Sequence, residues 1–148
     1  MENQIGKYHF KFKKIGGKEH IFDPVRKKYI LFTPEEKVRQ YFISYLTTQL
    51  DYPKGFIKVE SGLQHNQLNK RSDILIYNKD FTPSMLVECK SEKVKLDKST
   101  LEQISFYNQV YQVKILVITN GVKTYPMKLD TENKKYQPIQ YIPPFKLL

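Results

Sequence analysis

Asp73, Glu88 and Lys90 are the residues of this sequence whose types and spacing could do chemistry. The stretch MLVECKSEK at 85–93 is an apolar run that plants Glu88 and Lys90 two positions apart near its end. In a strand, side chains at i and i+2 share a face, so Glu88 and Lys90 point together while Val87 and Cys89 take the other side. Asp73 sits at the beginning of a second apolar run, SDILIYN at 72–78. Antiparallel pairing of the two runs would bring both carboxylates together at one edge of a sheet, with Lys90 beside them. Two carboxylates at close range repel unless a cation lies between them, and their hard oxygens suit Mg²⁺ or Mn²⁺. Such an ion polarises a phosphoryl oxygen and lowers the pKa of bound water, and a neighbouring ammonium assists by charge or as a base. The chemistry implied is hydrolysis of a phosphodiester. The plainer alternative for Glu-x-Lys taken alone is a solvated ion pair at a sheet boundary, which contributes little.

Hydrophobic periodicity supplies the elements that must hold these groups. HIFDPVRKKYILFT (20–33) reads as two short strands around a Pro-containing turn. In the segment 33–53, Thr33 fits an N-cap, Pro34 the first helical position and Glu36 a capping box. Val38, Tyr41, Phe42, Tyr45 and Leu46 then recur at helical spacing, and the helix ends before Pro53. FIKVES (56–61) alternates as a strand, HNQLNK (65–70) reads as a polar loop, and the strands at 72–78 and 84–90 are joined by a turn containing Asp80 and Pro83. A second helix over 99–112 places Leu101, Ile104, Tyr107, Val110 and Tyr111 three or four residues apart. KILVITNG (114–121) is a nearly continuous apolar run typical of a central strand covered on both faces, with Asn120 and Gly121 turning the chain. The order α-β-β-β-α-β argues for an α/β (mixed α+β) fold, a mixed central sheet flanked by helices.

The 148 residues fit one domain, 1–148, with 1–32 a basic N-terminal extension or hairpin and 122–148 short C-terminal strands or a tail. Lys and Arg outnumber Asp and Glu by 25 to 15, a surplus that favours polyanionic partners such as nucleic acid or an acidic membrane surface. The single cysteine, Cys89, excludes an intrachain disulfide framework and a multi-cysteine zinc site, and its alternation makes it a small core residue. His9, His20 and His65 show no metal-ligand spacing. The start lacks the apolar core of a secretion signal, and the longest aliphatic run, ILVI at 115–118, is too short to span a bilayer. A soluble, cytoplasmic protein with no membrane partner is expected.

Asp73, fourteen intervening residues, then Glu88-Cys89-Lys90, followed on the next helix by Gln103 and Tyr107 in a Gln-x-x-x-Tyr pattern, resembles the PD-(D/E)xK nuclease superfamily. More narrowly, FDPVRKKYILFTPEEKVRQYF, RSDILIYN, LVECKSEKVKL, LEQISFYN and LVITNG, in that order across residues 22–121, resemble the N-terminal nuclease domain of type I restriction enzyme R subunits. The resemblance implies a restriction-endonuclease-like core and a Mg²⁺- or Mn²⁺-dependent deoxyribonuclease with water as nucleophile. It makes Asp73 and Glu88 metal-binding acids, Lys90 the catalytic lysine, and Gln103 the glutamine that sets active-site geometry or contacts DNA, with Tyr107 one turn beyond. Ser72 stands where the superfamily name puts proline; proline bears no ligand there.

Many such nucleases add a glutamate from the first helix. Glu35, with Val38 and Phe42 at i+3 and i+7, reads as core-facing and is preferred; Glu36 is the alternative, occupied on the plainer reading by the capping box. Arg39 stands at helical spacing to brace either acid. Lys70 and Arg71, just before Asp73, are candidates for phosphate contact, or form a solvated loop. No Gly-x-x-x-x-Gly-Lys-Ser/Thr phosphate loop occurs in the sequence, so the motor of a type I R subunit is absent from it. The expectation is a restriction-type nuclease on DNA that acts alone, as a homodimer able to cut both strands, or with other restriction or repair subunits. The competing reading is a catalytically inactive DNA-binding or assembly module that keeps the fold.

Overall fold

The computed structural model describes residues 8–65, 68–109 and 112–148. Alternating side chains ahead of the first helix fold into three antiparallel strands, β1 (Phe12–Ile15), β2 (Lys18–Asp23) and β3 (Lys28–Leu31), in the order β1-β2-β3. Gly16 and Gly17, at φ of 58° and 78°, provide the two left-handed positions that a two-residue hairpin turn requires. Helix α1 (Pro34–Gln49) begins as the sequence dictates: Thr33 Oγ1 accepts the Glu36 amide at 3.0 Å, and Pro34 opens the first turn. The capping box is only half made. Glu36 turns its carboxylate to Arg26 and Arg39 instead of back to the cap, and the Thr33 amide donates to Leu31 O at 3.1 Å.

Six further strands form one sheet in the order β4-β5-β6-β7-β8-β9: β4 (Ile57–His65), β5 (Leu68–Tyr77), β6 (Pro83–Cys89), β7 (Ile115–Thr119), β8 (Thr124–Asp130) and β9 (Lys135–Pro138). Helix α2 (Lys98–Asn108) supplies the crossover that lets β6 and β7 run parallel; the other neighbours are antiparallel. The mixed α/β class expected from the element order is what the chain adopts. Strand alternation sorts the core. Ile74, Ile76, Met85, Val87, Cys89 and Val117 face Val38, Phe42 and Leu46 of α1, while Leu75, Leu86, Leu116 and Ile118 face Leu101 and Ile104 of α2. All five residues of β7 are buried, as a strand covered on both faces requires.

Three boundaries depart from the sequence reading. HNQLNK is not a polar loop: β4 runs to His65 and β5 starts at Leu68, paired His65 to Leu68, with 66–67 outside the described residues. Ladder hydrogen bonds are made by the backbone and tolerate polar side chains, so polarity misled there. As a result Asp73 lies within β5 and not at its start. Helix α2 stops at Asn108; Val110 and Tyr111 lie outside the described residues. The C-terminal segment adds β8 and β9 to the sheet and then returns to the core, where Ile142 is buried, Tyr52 Oη donates to Pro143 O at 2.7 Å and the Phe145 amide to Leu50 O at 3.0 Å. Among the described residues no helix is long and apolar enough to cross a membrane.

Gly121, after β7, has φ 86°, and a Cβ there would lie 3.0 Å from Val38 Cγ2. Left-handed strain and the contact with α1 add, so Gly121→Ala is expected to cost about 1–3 kcal/mol, read as a lower urea midpoint at unchanged slope. An unchanged midpoint would mean that the turn does not need glycine.

Candidate active site

The β5–β6 register pairs Ile74 with Val87, so its next step sets Asp73 opposite Glu88. There the ladder ends, and the Asp73 side chain replaces it: Oδ2 accepts the Cys89 amide at 2.8 Å. Asp73 Oδ1 accepts from Arg39 of α1, also at 2.8 Å. The Lys90 amide donates to Thr119 O at 2.8 Å, which carries the parallel pairing of β6 and β7 past the strand end. Lys90 Nζ then stands 3.6 Å from Glu88 Oε1, half-exposed beside a glutamate that is almost fully buried. Asp73, Glu88 and Lys90 thus meet where β6 stops alongside a β4–β5 ribbon that continues beyond it. This is the end of two central strands, not a sheet edge.

Glu35 joins them from α1. Partial burial and then the charge of Asp73 raise its carboxyl above the usual value, against the opposing pull of Arg39 and Lys90. Its Oε1 accepts from Arg39 at 3.1 Å. The burial expected for Glu35 and Glu36 is nevertheless reversed. Glu36 is buried and Glu35 exposed, because both Glu36 oxygens are taken by guanidiniums, Oε1 by Arg26 and Oε2 by Arg39. Exposure leaves Glu35 facing Asp73, whereas Glu36 is a structural anion. Cys89 is a buried core thiol, pushed up by burial and then by Asp73.

Gln103 is exposed in the middle of α2, and among the described residues no hydrogen bond links it to Asp73, Glu88 or Lys90. Lys70 and Arg71 pair through their backbones with Leu63 and Gly62. Their side chains, and that of Tyr107, lie outside what the structure describes.

Three residues around the acids, Asp23, Arg26 and Glu60, were not singled out by type and spacing, and Arg39 was expected only as a brace for Glu35 or Glu36. Arg39, 4% exposed, contacts Glu35, Glu36, Glu60 and Asp73. Arg26 contacts Asp23, Glu36 and Glu60. Glu60 adopts φ 51° within β4, between the pairs Val59–Ile74 and Ser61–Ser72, so it lies across from Asp73 where the ladder skips a pair. Arg39 had a signal, its i+3 and i+4 spacing from Glu36 and Glu35. The Asp-x-x-Arg of the β2–β3 turn hinted at Arg26, and nothing local marks Glu60.

Among the described residues two guanidiniums thus serve five carboxylates, and Lys90 stands beside Glu88. The negative surplus and hard oxygen donors suit a divalent cation. Among the described residues no three His, Cys, Asp or Glu side chains stand close enough to form a ready cage. Mg²⁺ needs none, since it is held by one or two carboxylates with waters and substrate phosphate completing its shell.

Removing Arg39 would strand buried carboxylates. Arg39→Ala is expected to lose roughly 3–5 kcal/mol in chemical denaturation; a loss no larger than that of an exposed arginine would show the network to be marginal. Asp23 supplies a pH test. Burial raises its carboxyl, but the bonds from Arg26 outweigh burial and hold it below the ordinary 3.8. A carboxyl depressed by folding lends stability that is complete above the unfolded-state value and lost as pH falls through the folded one. Asp23→Asn should therefore be less stable than wild type at neutral pH, with the gap closing below about pH 4; a gap independent of pH would contradict the ionised assignment.

The family model described as type I restriction enzyme R protein N terminus matches residues 34–143. The match runs from the start of α1 past β9 and includes Glu35, Arg39, Asp73, Glu88 and Lys90; β1–β3 precede it. None of the curated proteins compared with the chain matches it. A match over most of the sequence, on the elements that bring these acids and this lysine together, places the chain in the family of type I restriction enzyme R protein N-termini.

Proposed function

We propose that the protein is a metal-dependent nuclease of the PD-(D/E)xK type that hydrolyses DNA phosphodiester bonds. The observation that carries this reading is the convergence of Asp73, Glu88 and Lys90 at the end of β6, with Glu35 within electrostatic reach of Asp73 and Lys90. Asp73 and Glu88 would hold Mg²⁺ or Mn²⁺, with Glu35 as a further donor. When bound, the ion would polarise the phosphoryl oxygen and lower the pKa of a water. Lys90 presents an ammonium to the phosphate and offsets charge that accumulates on its oxygens in the transition state. Arg39 and the Cys89 amide fix the orientation of Asp73 from two sides. Membership of the R-protein N-terminal family supports DNA as substrate and restriction subunits as partners, and a homodimer would be the simplest means of cutting both strands.

One observation favours a second reading, a catalytically idle DNA-binding or assembly module: both Asp73 oxygens already have partners, and among the described residues no three-acid cage stands ready. Incubation with plasmid and with single-stranded DNA in Mg²⁺ or Mn²⁺ separates the two. The nuclease reading predicts cleavage that falls by roughly a hundredfold or more in Asp73→Ala and in Lys90→Ala. Cleavage that survives either substitution would refute the site, and salt-sensitive binding without cleavage would favour the module.

A further inference from the structure

The three-stranded sheet β1–β3 lies ahead of the family match, and its two faces differ in charge. The register sets Phe12, Ile21 and Ile30 on one face, with Ile21 buried. Alternation places Glu19 and Asp23 on that same face. The opposite face carries Lys11, Lys13 and Lys18 together with His20, Phe22 and Tyr29. Among the described residues no Asp or Glu of the sheet points that way, and all three lysines are exposed. Ile15 and Leu31 are apolar members of the same face.

Two of the lysines stand over rings. Lys11 Nζ lies 5.9 Å from the Phe22 centroid and Lys13 Nζ 5.7 Å from that of Tyr29, and the two rings pack on each other at 5.3 Å. A cation over an aromatic face keeps its outward side for an anion while losing rotational freedom beforehand. The β2–β3 turn at one end of this sheet reaches the acid cluster, its Arg26 contacting Glu36 and Glu60.

We propose that this outer face binds the phosphate backbone of duplex DNA beside the active site. Charge complementarity selects a polyanion: ammonium groups on a face that carries no carboxylate among the described residues attract phosphates whatever the sequence. The state of the rings selects the duplex. Phe22 and Tyr29 are half-buried and already engaged by lysines and by each other, so they do not offer the open stacking platform by which single strands are held. The inference takes its DNA substrate from the nuclease reading, but its test separates the two.

The full chain is titrated in EDTA against short fluorescein-labelled duplex DNA of arbitrary sequence and against its single strand, by anisotropy, between about 50 and 200 mM NaCl. The variants are Lys11→Gln, Lys13→Gln and Lys18→Gln combined, the same three positions changed to Arg, and Asp73→Asn. Expected is duplex binding that weakens about tenfold or more in the Gln variant, with the slope of log affinity against log salt reduced by about 2–3. The Arg variant should bind as wild type, and Asp73→Asn serves only as the cleavage control in Mg²⁺. These lysines are exposed, so the Gln variant should melt with wild type. Wild-type affinity in the Gln variant, preference of the wild type for the single strand, or no DNA binding at all would overturn the proposal. Loss of binding in the Gln variant of a protein that does not cut DNA in Mg²⁺ would leave this surface standing and defeat the nuclease reading. Asp73-dependent cleavage with unchanged binding in the Gln variant would do the reverse.

Discussion

Arg39 is a guanidinium withdrawn from water and shared by four carboxylates, those of Glu35, Glu36, Glu60 and Asp73. A buried charge is tolerated only when its partners are close and well directed, so this one side chain fixes the relative placement of α1, β4 and β5. Arg26 extends the constraint, binding Glu36 and Glu60 from the turn of the N-terminal sheet. The acids are thereby held at the end of β6 by electrostatics at a point where the hydrophobic core has run out. The same arrangement keeps Arg39 firmly protonated: burial works against its charge, and Asp73 and Glu36 more than compensate.

Among the described residues the network holds more acid than base, and this has a chemical consequence. Asp73 is oriented by Arg39 and by the Cys89 amide, Glu88 lies beside Lys90, and the Glu35 carboxyl is raised by partial burial and then by repulsion from Asp73. A divalent ion would relieve that repulsion, and a phosphate would bring the negative charge that Lys90 is placed to meet. The β2–β3 turn that carries Arg26 links the basic sheet to the acid cluster, so on the proposed readings substrate attraction and metal demand would belong to separate surfaces of opposite sign. Such a separation would limit the repulsion that a cluster of acids exerts on a polyanionic substrate.

Much of the fold was legible because local physics decided it. Thr33 and Pro34 announced α1, the apolar run at 114–121 announced β7, and alternation in 72–90 announced the antiparallel pair that aligns Asp73 with Glu88. The site was less legible because its supports are distant in sequence. Helical phase put Glu35 toward the core from its spacing to Val38 and Phe42. The first turn of α1 instead buries Glu36, whose partner Arg26 lies ten residues earlier on another sheet. Glu60 is brought to Arg39 by a left-handed residue inside β4, a conformation that leaves no mark in a sequence. Polar composition hid the continuation of β4 and β5 for a related reason, since the backbone ladder that forms them is indifferent to it.

On the proposed nuclease reading, Asp73 and Glu88 would hold a divalent cation beside Lys90, with Glu35 as a further donor. The most direct test of that reading is the binding of that cation without DNA, by Mn²⁺ electron paramagnetic resonance or Mg²⁺ calorimetry on wild type and Asp73→Asn at neutral pH. Saturable binding by wild type that disappears in Asp73→Asn is the predicted result. Equal binding by both proteins, or none by wild type, would contradict the account.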